Sequence, residues 1–334
     1  MDGHAPLVKA TDLKKLFKFK NGYIHAVDGV DLAISQGNTL GLVGESGCGK
    51  STLGRALVRL IEPTSGEICF EGKNILHFDK REMAGERRKM QIIYQDPYSS
   101  LNPRMTVRDL IGEPILVNKI YRSKQEAYAR VAQLMDTVGL SSRLTTAYPH
   151  ELDGGRRQRI GVARALAVNP QFIVCDEPVS ALDVSIQAQI LNLLMDLQRD
   201  LGLTYLFITH DLSVVKHISN DVMVMYLGKC VERATSKELF KNPLHPYTRA
   251  LLSAIPVPDI AMRKRKPELV KGEIASPVNP PPGCRFAPRC PIAAEACTQA
   301  DIPLEEVSAG HFAACLRVNE TNVNGSTKNG GSEA

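Results

Sequence analysis

The stretch that decides the fold is Gly44-Glu45-Ser46-Gly47-Cys48-Gly49-Lys50-Ser51. It matches the eight-residue pattern of a phosphate-binding loop, the P-loop, at every position. The apolar run Thr39–Val43 before it predicts a buried strand, and Ser51–Ile61 after it has apolar residues at helical spacing. A strand, a glycine-rich turn and a helix in this order are the context that the motif requires. The sequence therefore predicts a P-loop nucleotide site.

Each residue type in this loop suits the binding of ATP and Mg²⁺. Glycines let backbone N–H groups wrap phosphate oxygens, and the start of the following helix adds positive potential. Lys50 is expected to reach the β- and γ-phosphate oxygens, and the Ser51 hydroxyl to bind Mg²⁺. The predicted nucleotide-binding residues of this loop are Gly44, Glu45, Ser46, Gly47, Cys48, Gly49, Lys50, Ser51 and Thr52.

Polar residues follow two further apolar runs. Phe172–Cys175 is followed by Asp176 and Glu177, and Tyr205–Thr209 is followed by His210. Open α/β sheets bind their ligands at the carboxyl ends of such strands. We therefore predict that Asp176 is the carboxylate on the Mg²⁺ side and that Glu177 is the general base for the attacking water. His210 is predicted to sense the γ-phosphate.

The composition excludes several classes of function. The net charge of +5, from 41 Lys and Arg against 36 Asp and Glu, is spread along the chain, so nucleic acid is not indicated as a partner. The start, Met1–Lys9, has no apolar leader, and no stretch reaches the roughly 18 apolar residues of a membrane-spanning helix. We expect the chain to lie on the cytoplasmic side of the cell membrane, peripherally attached through partners.

The chain is predicted to contain one large domain and an appendage. Met105–Ala167 is dominated by helical patterns such as Lys124–Val138, which predicts a helical insertion in the core. After Leu252, frequent prolines exclude any long helix. The predicted divisions are a nucleotide-binding domain over 1–255 with a helical subdomain at about 105–167, a C-terminal domain over 256–318, and a disordered tail over 319–334, which is almost without apolar residues.

The eight cysteines form two groups. Cys48, Cys69, Cys175 and Cys230 are scattered and are expected to be buried apolar side chains. The others follow the spacing Cys284-x5-Cys290-x6-Cys297-x17-Cys315. Four thiolates are the ligand set of a Zn²⁺ site or of a [4Fe-4S] cluster, and a staple of this kind suits a segment with little core of its own. The spacing lacks the paired C-x₂-C usual for zinc, and free thiols are the third alternative.

Together with the P-loop, several motifs in this order resemble the ABC ATPase family: Gln95 in Ile93-Tyr94-Gln95-Asp96, a turn at Gly154-Gly155, Asp176-Glu177, Ser180-Ala181-Leu182-Asp183, and His210. The resemblance implies an α/β fold with a RecA-like P-loop NTPase core and a helical subdomain. It also implies that Gln95 is a ligand of Mg²⁺, together with Ser51 and Asp176, and couples the ion and the water to the membrane partner. Asp183 is implied to lie at the dimer interface, and His210 to be the switch histidine. Adenine is expected to stack on Phe17, or else on Tyr23, although either aromatic can instead be plain packing.

Three longer segments resemble the dipeptide and oligopeptide importer ATPases, specifically the F-type subunit: Asp96-Pro97-Tyr98-Ser99-Ser100-Leu101-Asn102-Pro103-Arg104-Met105, Asn242-Pro243-Leu244-His245-Pro246-Tyr247-Thr248, and Pro280-Pro281-Pro282-Gly283-Cys284. This resemblance implies ATP hydrolysis that energises peptide import. The implied partners are a D-type ATPase in a heterodimer, two membrane permeases and an extracytoplasmic substrate-binding protein. It also favours a [4Fe-4S] cluster over zinc in the Cys-rich appendage.

Three other functions compete with peptide import. Nickel and haem importers belong to the same group, so the cargo stays open. A soluble ABC ATPase of the repair or translation kind is disfavoured because this chain has a single P-loop and no heptads. A regulatory ATP binder without hydrolysis is disfavoured because Glu177 and His210 are both present.

The signature loop departs from the family pattern. The family reads Leu-Ser-Gly-Gly-Gln, whereas this chain reads Leu152-Asp153-Gly154-Gly155-Arg156. In the family the serine donates a hydrogen bond to the γ-phosphate bound by the opposite subunit. An ionised Asp153 only accepts and carries like charge, which predicts a weaker contact. The alternative is that Asp153 caps the following helix while Arg156 or Arg157 neutralises it.

Overall fold

The computed structural model describes residues 5–254, 272 and 275–318. The strands are β1 (Val8–Phe19), β2 (Gly22–Ile34), β3 (Thr39–Val43), β4 (Ser65–Phe70), β5 (Lys73–Asn74), β6 (Met90–Ile93), β7 (Phe172–Asp176), β8 (Thr204–Ile208), β9 (Asp221–Tyr226), β10 (Lys229–Thr235), β11 (Glu305–Ser308) and β12 (His311–Ala313). The helices are α1 (Lys50–Leu57), α2 (Lys80–Lys89), α3 (Pro97–Ser100), α4 (Val107–Val117), α5 (Lys124–Thr137), α6 (Gly154–Leu166), α7 (Val184–Leu201), α8 (Leu212–Ile218), α9 (Ser236–Lys241) and α10 (Pro246–Ser253). The boundary predicted near Ile255 and the tail predicted over 319–334 lie outside the described residues.

The larger sheet has the strand order β11-β12-β10-β9-β3-β8-β7-β6. The five strands from β9 to β6 are parallel, and β3, β7 and β8 are buried along their whole length. Parallel strands covered on both faces are continuously apolar, which is why they were predictable as apolar runs. Their carboxyl ends meet at one edge of the sheet. At that edge the P-loop follows β3, Asp176 is the last residue of β7, and Glu177 comes directly after it.

Several predicted elements differ from the structure at their ends. The strand predicted over Phe172–Cys175 runs one residue further, over Phe172–Asp176. The strand predicted over Tyr205–Thr209 runs over Thr204–Ile208. The helix predicted over Ser51–Ile61 covers only Lys50–Leu57, because Arg59 adopts a left-handed φ of 51°. The Arg59 guanidinium then donates hydrogen bonds to two carbonyl oxygens of residues 75 and 78, at 2.8 and 2.7 Å. These tertiary contacts hold the chain in a turn where the apolar spacing alone predicts more helix.

Helix α1 lies between the two sheets. The smaller sheet is antiparallel, has the order β2-β1-β4-β5 and contacts one side of α1, while β7 and β8 contact the other. Gly54 permits this approach, since a Cβ there would lie 2.8 Å from side-chain carbons of Ile208 and Val174. Leu53 and Leu57 on the same helix are fully buried. The helix that follows the P-loop is therefore held on two sides by a packed core.

The interval between β6 and β7 contains the helices α4, α5 and α6, where a helical subdomain at about 105–167 is predicted. Helix α5 agrees within one residue with the prediction over Lys124–Val138. The N-cap residues of the three helices are Thr106, Ser123 and Asp153, whose side chains each accept a backbone N–H of the first turn. Among the helices of the described ranges, none combines the length and the apolar character that crossing a membrane requires.

The C-terminal segment extends the core sheet. Strand β12 pairs with β10, and β11 pairs with β12. The buried His311 ring lies 2.8 Å from Glu232 Oε1, and Glu232 also accepts the N–H groups of Leu244 and His245 at 2.7 and 2.8 Å. Within the described residues the two strands of the predicted appendage, β11 and β12, are therefore part of the core sheet. Strand β10 offers the hydrogen-bonding edge that these short strands need.

Candidate functional site

The P-loop connects β3 to α1, and its glycines adopt backbone conformations that other residues avoid. Gly44, Gly47 and Gly49 have φ angles of 154°, 77° and 105°. A Cβ at Gly49 would lie 1.9 Å from the Ala26 carbonyl oxygen, and one at Gly44 would lie 2.2 Å from the Met225 carbonyl oxygen. Backbone packing therefore requires glycine at these two positions. Gly49 is the N-cap of α1, so the positive end of that helix opens at the loop.

The Lys50 side chain lies inside the curve of the loop. Its Nζ donates hydrogen bonds to the carbonyl oxygens of Gly44 and Glu45, at 2.8 and 3.0 Å. Only 5% of the residue is exposed. A buried ammonium group requires hydrogen-bond acceptors, and the two carbonyl dipoles supply them. The arrangement holds one positive charge at the loop where phosphate is predicted to bind.

Ser51 and Asp176 meet at the carboxyl edge of the sheet. Ser51 Oγ donates a hydrogen bond of 2.6 Å to Asp176 Oδ1. Arg55, one turn further along α1, lies 3.4 Å from the other carboxylate oxygen. Asp176 ends β7 and is 1% exposed. Hydroxyl and carboxylate oxygens are ligands that Mg²⁺ accepts, so this pair fits a Mg²⁺ position beside the P-loop.

Glu177 lies between two nitrogen atoms. Gln95 Nε2 donates a hydrogen bond of 3.2 Å to Glu177 Oε2, and His210 Nδ1 lies 3.1 Å from the same oxygen. Glu177 has a left-handed φ of 49°, which costs about 1–2 kcal/mol, and its N–H bonds to the Ile208 carbonyl oxygen. Strand β7 ends at Asp176, so the two neighbouring side chains point to different partners. Asp176 contacts Ser51, whereas Glu177 contacts Gln95 and His210. Three residues predicted separately thus meet at one carboxylate.

These side chains line one open cleft of about 590 Å³, which we call the nucleotide cleft. Its volume is typical of small-molecule sites. The predicted residues that line it are Phe17, Ser46, Gly47, Gly49, Lys50, Ser51, Thr52, Gln95, Glu177 and His210. The remaining lining residues are Ile24, His25, Ala26, Leu227 and Pro277. The predicted residues Gly44, Glu45, Cys48 and Asp176 do not line the cleft.

The two aromatic candidates for adenine differ in position. Phe17 lies on β1 at the edge of the nucleotide cleft, with 36% of the residue exposed. Lys15 Nζ is 5.0 Å from the Phe17 ring centroid. Tyr23 is 50% exposed and does not line the cleft. Its backbone N–H donates to Asn279 Oδ1, and its carbonyl oxygen accepts the Asn279 N–H, each at 2.9 Å. This geometry favours Phe17 for the adenine ring, and the assignment stays a prediction.

The signature loop lies apart from the nucleotide cleft of its own chain. A Cβ at Gly154 or Gly155 would lie 3.0 or 2.7 Å from Leu182 or Ile186, so the loop packs against the segment that carries the exposed Asp183. Asp153, Gly154, Gly155 and Asp183 are not brought to the P-loop of this chain.

Asp153 itself is the N-cap of α6. Its Oδ1 accepts the backbone N–H of Arg156 at 2.8 Å, and its Oδ2 lies 3.3 Å from Arg156 Nε. Both side chains are more than half exposed. Arg157 takes no part, since its Nε donates to the Pro149 carbonyl oxygen and its guanidinium stacks on Tyr98. The free chain therefore has the cap geometry, with Arg156 as the neutralising cation.

The two groups of cysteines occupy different surroundings. Cys48, Cys175 and Cys230 are buried and Cys69 is half-buried, as expected of apolar side chains. The four C-terminal cysteines together line one small cavity of about 20 Å³, which we call the cysteine cavity.

Burial dominates the electrostatics of the cysteine cavity. It raises the pKa of the Cys284 thiol to about 11 and also raises the pKa values of Cys290 and Cys315. His245 lines the same cavity, and burial lowers its pKa to about 4, so this ring is neutral at pH 7. In the described part of the chain, no group of three or more His, Cys, Asp or Glu side chains is arranged to hold a metal ion. The four thiols converge on one place without forming a ligand sphere.

Sequence reasoning missed several residues near the P-loop, among them Arg55, Tyr247 and Pro277. Arg55 contacts Asp176 and lies four residues after Ser51, a spacing that places both on one helix face. Tyr247 Oη accepts the backbone N–H of Glu45 at 2.8 Å, and it lay inside a quoted motif without a role. Pro277 comes from the distant C-terminal segment, and no local signal connects it with the cleft.

Comparison with known proteins decides the family. Residues 27–180 match the family described as ABC transporter, and residues 231–297 match the oligopeptide/dipeptide transporter C-terminal region. The chain is 50% identical to the oligopeptide transport ATP-binding protein OppF of Escherichia coli, over 95% of this chain and 98% of that protein. The chain belongs to the ATP-binding proteins of the ABC transporters. The resemblance to this family and to its peptide-importer group is thereby confirmed.

Further relatives agree with this assignment. This ABC ATPase is 48% identical to the dipeptide transport ATP-binding protein DppF of Haemophilus influenzae, over 94% of this chain and 98% of that protein. A solved structure of the dimeric ATP-binding cassette MJ0796, in a post-hydrolysis state bound to ADP and Pi, is 30% identical with a TM-score of 0.63. It covers 69% of this chain and 98% of that chain. The predicted α/β P-loop fold is confirmed, and ATP with Mg²⁺ is the ligand expected of the family.

Proposed function

We propose that this ABC ATPase hydrolyses ATP to energise the import of oligopeptides or dipeptides, attached peripherally to the cytoplasmic side of the cell membrane. The observation that carries the hydrolysis is the position of Glu177 between Gln95 and His210, next to the Ser51–Asp176 pair. Peptide as cargo is supported by the C-terminal match and by the names of the relatives OppF and DppF.

The mechanism assigns one task to each side chain. Backbone N–H groups of the P-loop and the Lys50 ammonium bind phosphate oxygens. Ser51 and Asp176 would hold Mg²⁺, which when bound would supply positive charge to the phosphate oxygens. Glu177 accepts a hydrogen bond from the attacking water and polarises it, while Gln95 and His210 fix the carboxylate from two sides. Breaking or forming the hydrogen bond between Gln95 and Glu177 would therefore change the orientation of the Glu177 carboxylate toward the attacking water.

Transport and hydrolysis have to be measured on the same assembly. We expect a complex with its permeases in lipid vesicles to accumulate oligopeptide only with ATP, and to hydrolyse ATP faster when peptide and binding protein are present. ATP hydrolysis without peptide accumulation would contradict the assignment of peptide as the cargo. A chain that binds no nucleotide would contradict the assignment of ATPase activity.

A surface groove supports the membrane permease as partner. It has a volume of about 430 Å³ and lies between the sheet core and helices α4 and α6. Exposed apolar side chains line it, with Val117 74%, Leu60 47% and Tyr94 38% exposed, which is typical of a partner site. Tyr94 precedes Gln95, whose amide bonds Glu177. A permease segment in this groove would thus contact Tyr94, the residue next to Gln95, which bonds Glu177.

We expect Val117→Asp to weaken association with the permeases, because a charge would then enter an apolar interface. The ATP affinity of the isolated subunit should stay unchanged. Co-purification of detergent-solubilised permeases with the tagged subunit measures the association. Leu201→Asp is the matched control, since Leu201 is 56% exposed at the end of α7 and outside the groove. Equal retention of permeases by both variants would contradict the docking site.

We also propose that the functional ATPase is a heterodimer with a D-type subunit, in which each signature loop faces the P-loop of the other. This is supported by the lining of the nucleotide cleft, which does not include Asp153, Gly154 or Gly155 of the same chain. The importer then contains two ATPases, two permeases and an extracytoplasmic peptide-binding protein.

The four C-terminal cysteines are proposed to hold a [4Fe-4S] cluster, with Zn²⁺ as the alternative. Their convergence on one apolar-walled cavity supports a thiolate site, and four thiolates are the ligand set of both groups. Ligation would deprotonate thiols whose pKa values burial now raises, and would rearrange the cavity as the thiolates approach the metal. The group would act as a staple of the segment that joins β10 to the C-terminal strands.

Protein purified without oxygen should be brown and contain about four iron atoms per chain, and air should bleach it. Elemental analysis and the visible absorption spectrum measure both. Cys297→Ser should lower the iron content, whereas Cys69→Ser, outside the cysteine cavity, should keep it. A content of one zinc and no iron per chain would contradict the cluster and would indicate a structural zinc site instead.

A further inference from the structure

The cysteine-bearing segment reaches the P-loop through one arginine. Arg289 Nη1 donates hydrogen bonds to Glu45 Oε2 at 2.9 Å, to Glu45 Oε1 at 3.2 Å and to Tyr226 Oη at 3.2 Å. The side chains of Arg289 and Glu45 are only 9% and 24% exposed. A charge-assisted contact shielded from water is stronger and more specific than a surface ion pair. It connects residues 244 positions apart in the sequence.

Glu45 in turn fixes the shape of the P-loop. Its backbone N–H donates to Tyr247 Oη at 2.8 Å, and its carbonyl oxygen accepts from Lys50 Nζ at 3.0 Å and from the Cys48 N–H at 3.3 Å. The carboxylate, the amide and the carbonyl group of this one residue therefore each have a partner. A rotation of Glu45 would move the acceptor that holds the Lys50 ammonium.

Arg289 is itself held rigidly. It ends the short 3-10 turn Ala287–Arg289, which lies between Cys284 and Cys290. Ala287 N–H donates to the Cys284 carbonyl oxygen at 2.9 Å, and Cys290 N–H donates to the Ala287 carbonyl oxygen at 3.2 Å. Phe286 precedes the turn, is 1% exposed, and packs 5.3 Å from the ring centroids of both Tyr226 and Tyr247. The turn thus rests on the same tyrosines that contact Arg289 and Glu45.

We propose that Arg289 is a positioning residue for the nucleotide site. By holding the Glu45 carboxylate it keeps the P-loop in the shape that binds phosphate, and ATP affinity depends on the fold of the turn between Cys284 and Cys290. The inference rests on the proposed binding of ATP at this P-loop. It gives the C-terminal segment a direct role in nucleotide binding, in addition to its place in the sheet.

Arg289→Met tests the inference, because methionine fills similar space without a charge or a donor. We expect the Kd of a fluorescent ATP analogue to rise about fivefold, and the KM for ATP to rise with it while kcat changes little. Arg289→Lys should retain part of the affinity, since all three contacts are made by a single nitrogen atom. Glu45→Gln should act like Arg289→Met, and the double variant should be no worse than either single one.

Arg233→Met is the matched control. Arg233 lies on β10 and stacks on Phe312 of β12, so it also joins the core to the C-terminal segment, but it does not line the nucleotide cleft. This variant should lower the thermal midpoint of unfolding and leave the ATP Kd unchanged. If Arg289→Met and Glu45→Gln likewise lower only the unfolding midpoint, the contact is structural and the inference is wrong.

If Arg289→Met does not fold, Arg289→Lys and Glu45→Gln still decide the question by their ATP Kd values. Failure of this inference differs from failure of the proposed function. Wild-type protein that binds no ATP overturns the ATPase, whereas wild-type protein that binds ATP as tightly as both Arg289 variants overturns only the positioning role.

Discussion

Glu177→Gln should lower ATP hydrolysis by about 10²–10⁴-fold, the contribution that a positioned general base makes. The substitution keeps the size of the side chain and leaves an amide that no longer accepts a proton from water. ATP should remain bound, because Glu177 is absent from the P-loop and from the Ser51–Asp176 pair. The assembled ATPase should therefore accumulate in a closed, ATP-bound state. Phosphate release and bound nucleotide, measured on the same sample, give both quantities.

Lys50→Ala is the contrasting variant. It removes the ammonium that faces the loop, so nucleotide affinity itself should fall, and no bound ATP should accumulate. The two variants separate binding from catalysis. Transport-coupled hydrolysis at the wild-type rate in Glu177→Gln would exclude Glu177 as the base.

Strands that are buried on both faces could be predicted, because such a strand is itself a continuous apolar run in the sequence. Strands β3 and β7 are covered on both faces, so each is a continuous apolar run and was found almost at its observed bounds. Strand β1 was not found, because it is exposed at many positions and register shifts interrupt its pairing with β2. Strands β11 and β12 have four and three residues, and β11 is exposed throughout. They form strands because β10 has a free edge with which β12 can pair. This pairing depends on the tertiary structure and is not visible in the local sequence.

The same distinction applies to the candidate site. Residues at strand ends and in the P-loop could be found, since a motif or an adjoining apolar run marks Lys50, Asp176, Glu177 and His210. The role of Gln95 followed only from family resemblance, and its contact with Glu177, 82 positions away in the sequence, was not predicted. Arg289 lies 244 positions from Glu45, and neither residue type nor spacing indicates that they meet.

In the assembled ATPase, the two nucleotide sites should hydrolyse ATP at rates that differ by about tenfold. In the proposed heterodimer, the ATP bound by the partner meets Asp153 where the family has a serine. At about 4 Å, repulsion between a carboxylate and one phosphate charge is about 1 kcal/mol in water and about 4 kcal/mol at an effective dielectric of 20. The Arg156 guanidinium lies 3.3 Å from the Asp153 carboxylate and offsets part of this repulsion. Because both side chains are more than half exposed, we expect the lower end of this range to apply.

A single-turnover experiment on the assembled complex measures the asymmetry. Wild-type protein should convert bound ATP in two phases of equal amplitude, and Asp153→Ser should merge them into one fast phase, because serine restores the donor and still caps α6. Asp153→Asn separates the causes, since it keeps the cap and removes only the charge. Arg156→Gln should slow the second phase further by leaving Asp153 unneutralised. A single phase in wild-type protein, unchanged by Asp153→Ser, would mean that Asp153 acts only as the cap seen in the free chain.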